Sequence, residues 1–165
     1  MKTTYLRAST ATEVWACLTM LRAKTAVVDI EPFVAFWDTD QTILEEGIAT
    51  ILDSVADAGL DAVLFATNST RRLPTPPTAT WARIGYLASA GKPLRMAAYR
   101  DLPRPGVVIG DQVATDGVLA WRLGYAFVHY APGLATTPLG PRVMGQIGRP
   151  IRPLLFRRAG FPRPG

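Results

Sequence analysis

Residues 107–125 read VVIGDQVATDGVLAWRLGY, a short apolar run followed by Gly110, the carboxylate of Asp111 and a helical pattern. Three consecutive β-branched residues before a glycine are typical of a buried strand, and the stretch that ends at Gly124 has the length of a short helix. A strand followed at once by a helix is the unit from which parallel α/β sheets are built. The stretch therefore predicts an α/β fold with a polar group at the carboxyl end of a strand.

The same alternation extends on both sides of this unit, from residue 33 to residue 130. It predicts strands at 33–37, 62–66, 86–88, 107–109 and 126–130, with helices at 47–58, 78–84, 94–100 and 113–123. We expect a Rossmann-like, five-stranded parallel sheet flanked by helices. An N-terminal helical segment, residues 1–24 with its helix at 10–22, would precede this core domain, residues 25–131. A basic tail rich in Pro, Gly and Arg, residues 132–165, would follow it as irregular structure.

Charge is distributed unevenly along the chain, whose formal net charge is +5. Residues 117–165 contain seven arginines and no acid, whereas the first 116 residues sum to −2. A basic tail on an acidic body suggests that the tail meets lipid headgroups or nucleic acid, and an ordinary solvated tail is the alternative. The single cysteine, Cys17, excludes an internal disulfide and a cysteine-rich zinc site and is compatible with a cytoplasmic protein.

Two carboxylates follow the predicted strand 33–37 in the sequence Asp38-Thr39-Asp40-Gln41-Thr42. Residues i and i+2 at the end of a strand point to the same side, so both carboxylates would face one site beyond the sheet. One can attack while the other exchanges protons. Asp29-Ile30-Glu31 has the same spacing. Because Pro32 follows it and no threonine stands at the matching place, we interpret Asp38 and Asp40 as the functional pair.

Further polar groups stand after later strands or before helices. Thr67 and Asn68 end the second predicted strand and are suited to hold a phosphate oxygen, and Lys92 offers a cation that would neutralise phosphate charge. Asp111 adds a carboxylate of the kind that Mg²⁺ prefers. Arg71 and Arg72 follow Thr67 closely and could grip a second phosphate or a lipid headgroup, or lie in a solvated loop. His129, the one histidine, is expected to be a core or edge residue of a strand.

These motifs resemble those of haloacid-dehalogenase-like phosphatases, namely D-x-D-x-T, a strand-end Ser or Thr, a Lys, and G-D-x-x-x-x-D. The match is most similar to the YqeG-like (class IIIA) group, itself similar to phosphatidylglycerophosphate phosphatases. The features that carry it are Thr67-Asn68, Lys92-Pro93, the run 107–116 and Arg122-x-Gly124-Tyr125. The resemblance covers about residues 29–130 and implies a Mg²⁺-dependent phosphomonoesterase that works through an aspartyl-phosphate.

The resemblance also implies a role for each matching residue. Asp38 would be the nucleophile and Asp40 the general acid and base, while Thr67 and Lys92 would orient the phosphoryl group. Mg²⁺ would be held by Asp38, Asp40 and Asp111, with Asp116 supporting Lys92 or the water shell of the metal. Apart from the resemblance, our candidate substrate-binding residues are Thr42, Asn68, Arg71 and Arg72.

The spacing of the motifs leaves no room for a lid over the site. Six residues separate Asp40 from the helix predicted at Gly47, and the 24 residues between Thr67 and Lys92 contain the third βα unit. An uncapped site suits a phosphate on a large partner. The resemblance to phosphatidylglycerophosphate phosphatases implies a lipid headgroup phosphate such as phosphatidylglycerophosphate, which agrees with an open site. We expect the tail to associate peripherally with the inner face of an anionic membrane, and we expect no nucleic acid partner. The alternatives are a phosphatase of a soluble sugar, nucleotide or secondary-metabolite phosphate, and a non-catalytic module that binds an anionic surface.

Overall fold

The computed structural model of the chain describes residues 1–79, 81–133 and 139–159. The strands are β1 (Thr3–Ala8), β2 (Thr25–Val28), β3 (Ala62–Ala66), β4 (Arg83–Leu87), β5 (Gly106–Gly110), β6 (Ala126–Tyr130) and β7 (Phe156–Arg158). The helices are α1 (Ala11–Met20), α2 (Gln41–Val55), α3 (Val118–Leu123) and α4 (Leu139–Leu155). A π-helical turn, Val113–Gly117, precedes α3, and 3-10 turns occupy Ala56–Ala58 and Ala97–Tyr99.

The strands of the described ranges form one sheet in the order β4-β3-β2-β5-β6-β1-β7, and each strand pair is parallel. The α/β class predicted from the sequence is therefore confirmed, with seven strands within those ranges rather than five. β2 lies between β3 and β5, so the carboxyl ends of these three strands meet at one edge of the sheet. In open parallel sheets this edge is where ligands bind.

Helices cover both faces of the sheet. Successive side chains of a strand point to opposite faces. Val28 and Ile109 accordingly belong to a core shared with buried residues of α1 and α2, whereas Val27 and Val108 belong to a core shared with α3 and with partly buried residues of α4. Because β2 and β5 are buried on both faces, their residues 26–28 and 107–109 are continuously apolar instead of alternating.

The segment 33–37, predicted as the first strand, forms turns instead. The backbone N–H groups of Val34 and Ala35 both donate to the carbonyl of Ile30, at 2.8 and 3.2 Å, which curls the chain away from the sheet. The first core strand is β2, eight residues earlier in sequence than predicted. α2 begins at Gln41 rather than at 47 because the carboxylate of Asp40 accepts from Ile43 N at 2.9 Å and caps the helix.

Several other sequence predictions are corrected by the structure. The strands predicted at 62–66, 107–109 and 126–130 and the helix predicted at 10–22 are confirmed, but β1, β2 and β7 were not expected. The helix predicted at 78–84 is wrong, because β4 begins at Arg83, although residue 80 lies outside the described ranges. In place of the helix predicted at 94–100, the structure has only a 3-10 turn, Ala97–Tyr99.

The basic tail is regular over residues 139–158, which also differs from prediction. α4 and β7 follow one another, and β7 pairs with β1 at the edge of the sheet. Residues 134–138 and 160–165 of the predicted tail lie outside the described ranges. Strands from all three predicted segments thus share one sheet. Among the described residues, no helix combines the length and the apolar character that crossing a membrane would require.

α4 packs closely against the π-helical turn at Gly148. A Cβ at this position would lie 2.7 Å from the Cβ of Val113 and 3.2 Å from the backbone nitrogen of Ala114. Gly145, on the same helix, has open space around the corresponding position. The close approach at Gly148 therefore sets where the arginines of α4 stand relative to the carboxyl edge of the sheet.

We expect Gly148→Ala to be about 1–3 kcal/mol less stable than Gly145→Ala, because only the first methyl group overpacks the contact with Val113. Both substitutions gain the same helix propensity, about 1 kcal/mol, so their difference reports the collision alone. The free energies of unfolding in urea measure this difference. Equal stabilities would show that α4 does not dock at Gly148.

Candidate active site

Buried polar side chains gather where β3, β2 and β5 end. Apart from Thr25, the buried polar or charged residues of the described ranges all lie at this edge: Asp29, Glu31, Thr67, Lys92 and Asp116. Burying a charge is costly unless it is paired and hydrogen-bonded, so such a concentration requires a compensating network.

Asp29 and Glu31 follow directly on β2. The chain remains in the sheet as far as Asp29, whose N–H donates to the carbonyl of Ile109 at 2.8 Å. One carboxylate oxygen of Asp29 also accepts from Ile30 N at 2.9 Å. Because Pro32 lies beyond the last N–H that the sheet needs, it does not disturb the strand. The carboxylates of Asp29 and Glu31 therefore occupy the strand end that the sequence analysis assigns to Asp38 and Asp40.

The ammonium of Lys92 connects three parts of the site. Its Nζ lies 2.8 Å from Oδ1 of Asp29 and 2.7 Å from Oδ1 of Asp116, and it donates to the carbonyl of Ala66 at 2.9 Å. A lysine has three N–H donors, so all of them are used. The backbone of Lys92 is itself fixed by Asn68, whose amide accepts from Lys92 N at 2.7 Å and donates to Lys92 O at 3.0 Å.

Thr67, at the end of β3, is tied to Glu31. Its hydroxyl donates to Oε2 of Glu31 at 2.7 Å and accepts from Ser69 N at 3.0 Å. Arg71 approaches the other oxygen of Glu31, with Nη1 to Oε1 at 3.6 Å. These contacts hold the Glu31 carboxylate beside the end of β2, two residues beyond Asp29.

The turn after β5 supplies Asp111 and Asp116. The N–H groups of Asp116 and Gly117 both donate to the carbonyl of Gln112, at 2.9 and 3.1 Å, and this π-helical turn brings Asp116 back under the strand end. A Cβ at Gly110 would collide with the carboxylate of Asp116, so a glycine is required there. The remaining oxygen of Asp116 faces Gln112 N at 3.3 Å.

The carboxylates of Asp29, Asp111 and Asp116 each place an oxygen within 4.8 Å of the others. Burial, followed by the charge of Asp116, raises the pKa of Asp111 to about 7. Burial and Asp116 also raise the pKa of Asp29 well above its usual range, although Lys92 opposes them. Burial alone would lower the pKa of Lys92, but Asp116 and Asp29 outweigh it and raise that pKa.

The donor set fits a divalent cation. Three carboxylates face one ammonium, so positive charge is lacking when all three are ionised. In addition, Oδ1 of Asp111 is buried and has no hydrogen-bond partner among the described residues. Carboxylate oxygens around a compact site are the ligands that Mg²⁺ prefers. Asp29 and Asp111, with Asp116 in reach, are the residues that would hold the ion.

A cavity of about 160 Å³ lies over these groups and is named here the central cavity. It is lined by Asp29, Glu31, Trp37, Thr67, Asn68, Ser69, Lys92, Gln112 and Thr115. The two carboxylates of the β2 end, a lysine and hydroxyl and amide donors therefore converge on one space of a size that suits a phosphate group.

The structure brings together only part of the site predicted from the sequence. Thr67, Asn68, Lys92, Asp111 and Asp116 lie at this edge. Asp38 is exposed in the turn before α2, and the carboxylate of Asp40 caps that helix. Thr42 is exposed in the first turn of α2, and Arg72 is exposed in the loop that follows β3. None of these four lines the central cavity.

Arg71 is partly buried and is occupied by the protein itself. Its guanidinium donates to the carbonyl of Phe36 at 3.0 Å and to the hydroxyl of Thr39 at 2.9 Å, besides a contact with the carbonyl of Thr39 and the ion pair with Glu31. Arg71 therefore fixes the segment 36–40 beside the site. The signal that would have found Asp29 is the short apolar run 26–28, which is followed at once by a carboxylate.

Comparisons with protein-family models, with curated proteins and with solved structures return no match for this chain. The function is therefore proposed from the geometry of the site and from the motifs of the sequence.

The raised pKa of Asp111 predicts a pH-dependent cost of folding. Below a pH of about 4 this carboxyl is protonated in both the folded and the unfolded state, so it does not change the free energy of unfolding. As the pH rises toward 7, the unfolded state loses the proton first, and the free energy of unfolding falls. In the presence of a chelator, we expect Asp111→Asn to gain about 1–3 kcal/mol relative to the unmodified protein between these limits. Urea unfolding at a series of pH values measures the difference. The exposed Asp57→Asn is the control, and a gain that does not grow with pH would contradict the burial of this charge.

Proposed function

We propose that the chain is a Mg²⁺-dependent phosphomonoesterase in which Asp29 is the nucleophile and Glu31 the general acid and base. The observation that carries the proposal is the convergence of Asp29, Glu31 and Lys92 on one cavity at the carboxyl edge of a parallel sheet. The proposal keeps the phosphatase chemistry implied by the sequence motifs and moves its first motif from Asp38 and Asp40 to the end of β2. Thr67, Lys92, Asp111 and Asp116 keep the positions that the motifs gave them.

In the first step, an oxygen of the Asp29 carboxylate attacks the phosphorus of the substrate. The phosphorus–oxygen bond to the leaving group breaks, and Glu31 gives its proton to the departing oxygen. The Thr67 hydroxyl, 2.7 Å from Oε2 of Glu31, orients the acid. Ser69 and Asn68 present donors to the phosphoryl oxygens, and fixed donors of this kind stabilise charge as it develops.

In the second step, Glu31 takes a proton from water, and the resulting hydroxide attacks the phosphorus of the aspartyl-phosphate. The bond between phosphorus and the Asp29 oxygen breaks, which releases phosphate and restores the carboxylate. Lys92 stays paired with Asp29 and Asp116 and keeps the nucleophile aimed along the end of β2. When bound, Mg²⁺ supplies positive charge that allows an anionic carboxylate and an anionic phosphate to approach each other.

We expect Asp29→Asn to reduce the hydrolysis of p-nitrophenyl phosphate by at least about a thousandfold, because an amide cannot attack phosphorus. Asp38→Asn is the matched control, since it removes a carboxylate from the exposed turn, and it should keep most of the activity. Initial rates with excess Mg²⁺, and again with a chelator, measure both effects. The assignment is wrong if Asp38→Asn removes the activity and Asp29→Asn does not. Binding of Mg²⁺ and phosphate without any turnover would favour a non-catalytic binding module.

The substrate class is proposed from the surface of α4. Val143, Ile147 and Leu154 are 53%, 50% and 69% exposed. Their spacing places them along one side of the helix. Arg142 and Arg149 stand beside this apolar stripe on the same helix. Exposed apolar side chains next to arginines suit the interface of an anionic membrane, where each arginine contributes about 1 kcal/mol. We therefore propose that the protein acts on a lipid headgroup phosphate at a membrane surface, with a soluble sugar, nucleotide or secondary-metabolite phosphate as the alternative.

The triple variant Val143→Ser/Ile147→Ser/Leu154→Ser should bind anionic vesicles at least about tenfold more weakly than the unmodified protein, because it removes the apolar contact with the interface. Leu94→Ser, at another exposed leucine, is the control and should bind normally. Co-sedimentation with phosphatidylglycerol vesicles and with phosphatidylcholine vesicles, at low and high salt, provides the measurement. Equal sedimentation of the triple variant and the control would exclude α4 as the membrane contact and favour a soluble substrate.

A further inference from the structure

Another cavity, of about 370 Å³, opens beside the central cavity at the carboxyl edge of the sheet. Its walls include Arg7 of β1, Asp111 of the turn after β5, and Arg142, Arg149 and Arg152 of α4. The structure thus gathers side chains from distant parts of the sequence around one space, which is named here the arginine cavity. The docking of α4 at Gly148 is what closes its outer side.

The arginine cavity carries an excess of positive charge, because four arginines line it together with a single carboxyl group, that of Asp111. Its four guanidinium groups belong to exposed side chains, and in the described ranges none of them forms an ion pair with a carboxylate. The residues outside those ranges contain no Asp or Glu. Like charges that face one space repel one another, and an anion bound there would offset the repulsion. Guanidinium groups match phosphate oxygens in geometry and can bind them with paired hydrogen bonds.

The wall formed by Tyr5 and His129 is neutral and fixed in place. Nε2 of His129 lies 2.8 Å from the carbonyl of Asp111, and because a carbonyl only accepts, Nε2 carries the hydrogen. Nδ1 therefore accepts from the hydroxyl of Tyr5 at 2.6 Å. Burial lowers the pKa of His129, which keeps the ring neutral. The guanidinium of Arg152 lies 5.4 Å from the centre of the Tyr5 ring, so this wall also orients one of the four cations.

A single turn of chain separates the two cavities. Asp111 and Val113 line the arginine cavity, whereas Gln112 and Thr115, from the same turn, line the central cavity. A molecule whose phosphomonoester lies in the central cavity can therefore extend over residues 111–115 and place another group among the arginines. The two spaces differ in character, since the central cavity has two carboxylates and one lysine, whereas the arginine cavity has four arginines and one carboxyl group.

We propose that the arginine cavity binds a second phosphate group of the substrate, so that the preferred substrate is a phosphomonoester that also carries a phosphate or phosphodiester. This inference rests on the proposed phosphatase function and adds a determinant of its specificity. The second phosphate belongs either to a soluble bisphosphate or to the phosphodiester of a lipid headgroup. Both present the same anionic oxygens to Arg142, Arg149 and Arg152.

The test compares butanediol bisphosphate with butyl phosphate as substrates. We expect Arg149→Gln to lower the ratio of their kcat/KM values by about tenfold or more, because a charge-assisted hydrogen bond to the second phosphate is lost. Arg100→Gln, at an exposed arginine outside the cavity, should leave the ratio unchanged. A second arm uses phosphatidylcholine vesicles that contain phosphatidylglycerophosphate or phosphatidate, which differ in the phosphodiester. If Arg149→Gln lowers the ratio of kcat/KM values in only one arm, that arm identifies the source of the second phosphate.

Calorimetric binding of butanediol bisphosphate to full-length Asp29→Asn protein separates this inference from the proposed function, since it needs no turnover. With Arg149→Gln added, we expect the Kd to rise about tenfold or more, and with Arg100→Gln added we expect it to stay the same. The inference is overturned if Arg149→Gln and Arg100→Gln give the same Kd. It is also overturned if the unmodified protein hydrolyses these phosphates and Arg149→Gln changes neither ratio. Absence of hydrolysis with the expected change in Kd would reject the phosphatase function alone.

Discussion

The ammonium of Lys92 donates to oxygens from three separate parts of the chain: Asp29 after β2, Ala66 in β3, and Asp116 in the turn after β5. These contacts hold the ends of adjacent strands in one arrangement around a buried charge. Without the ammonium, two buried carboxylates would face each other uncompensated, a loss that typically costs 3–5 kcal/mol, and both would favour their neutral forms. The position of the proposed nucleophile, the shape of the central cavity and the ionisation of its carboxylates all depend on this one side chain.

The proposed chemistry and the proposed specificity are connected through Asp111. Its carboxylate belongs to the acidic cluster, and its backbone carbonyl is held by His129, which is in turn held by Tyr5 beneath Arg152. A bound phosphate that displaces Arg152 would therefore disturb Tyr5 and His129, which hold the backbone of Asp111. α4 contributes to both surfaces, since its arginines face the arginine cavity and its exposed apolar stripe lies beside them. Membrane contact and substrate recognition would then use one helix.

The sequence predicts the α/β class and the strand ends that supply Thr67 and Asp111. It does so because a strand that is buried on both faces, such as β5, has an unbroken apolar run that a glycine ends. It misplaced the first motif for a local reason. Pro32 and the missing threonine argue against the pair Asp29 and Glu31, although Pro32 lies just beyond the strand end. The apolar segment 33–37 predicts a strand, although the N–H groups of Val34 and Ala35 bond to the carbonyl of Ile30. The spacing of Asp38 and Asp40 could not reveal that Asp40 caps α2. β1, β7 and the arginine cavity arise from pairings across the whole length of the chain, which local patterns do not encode.

The central claim is that Asp29, and not Asp38, accepts the phosphoryl group. An aspartyl-phosphate is reduced by borohydride to homoserine, whereas an ordinary carboxylate is not, so the modified residue marks the nucleophile. Protein that is turning over p-nitrophenyl phosphate in the presence of Mg²⁺ would be quenched, reduced and digested, and fragmentation of the peptide that contains both aspartates would locate the homoserine. We expect homoserine at position 29 and unchanged aspartate at position 38. Homoserine at 38, or at neither position in an enzyme that is active, would contradict this claim.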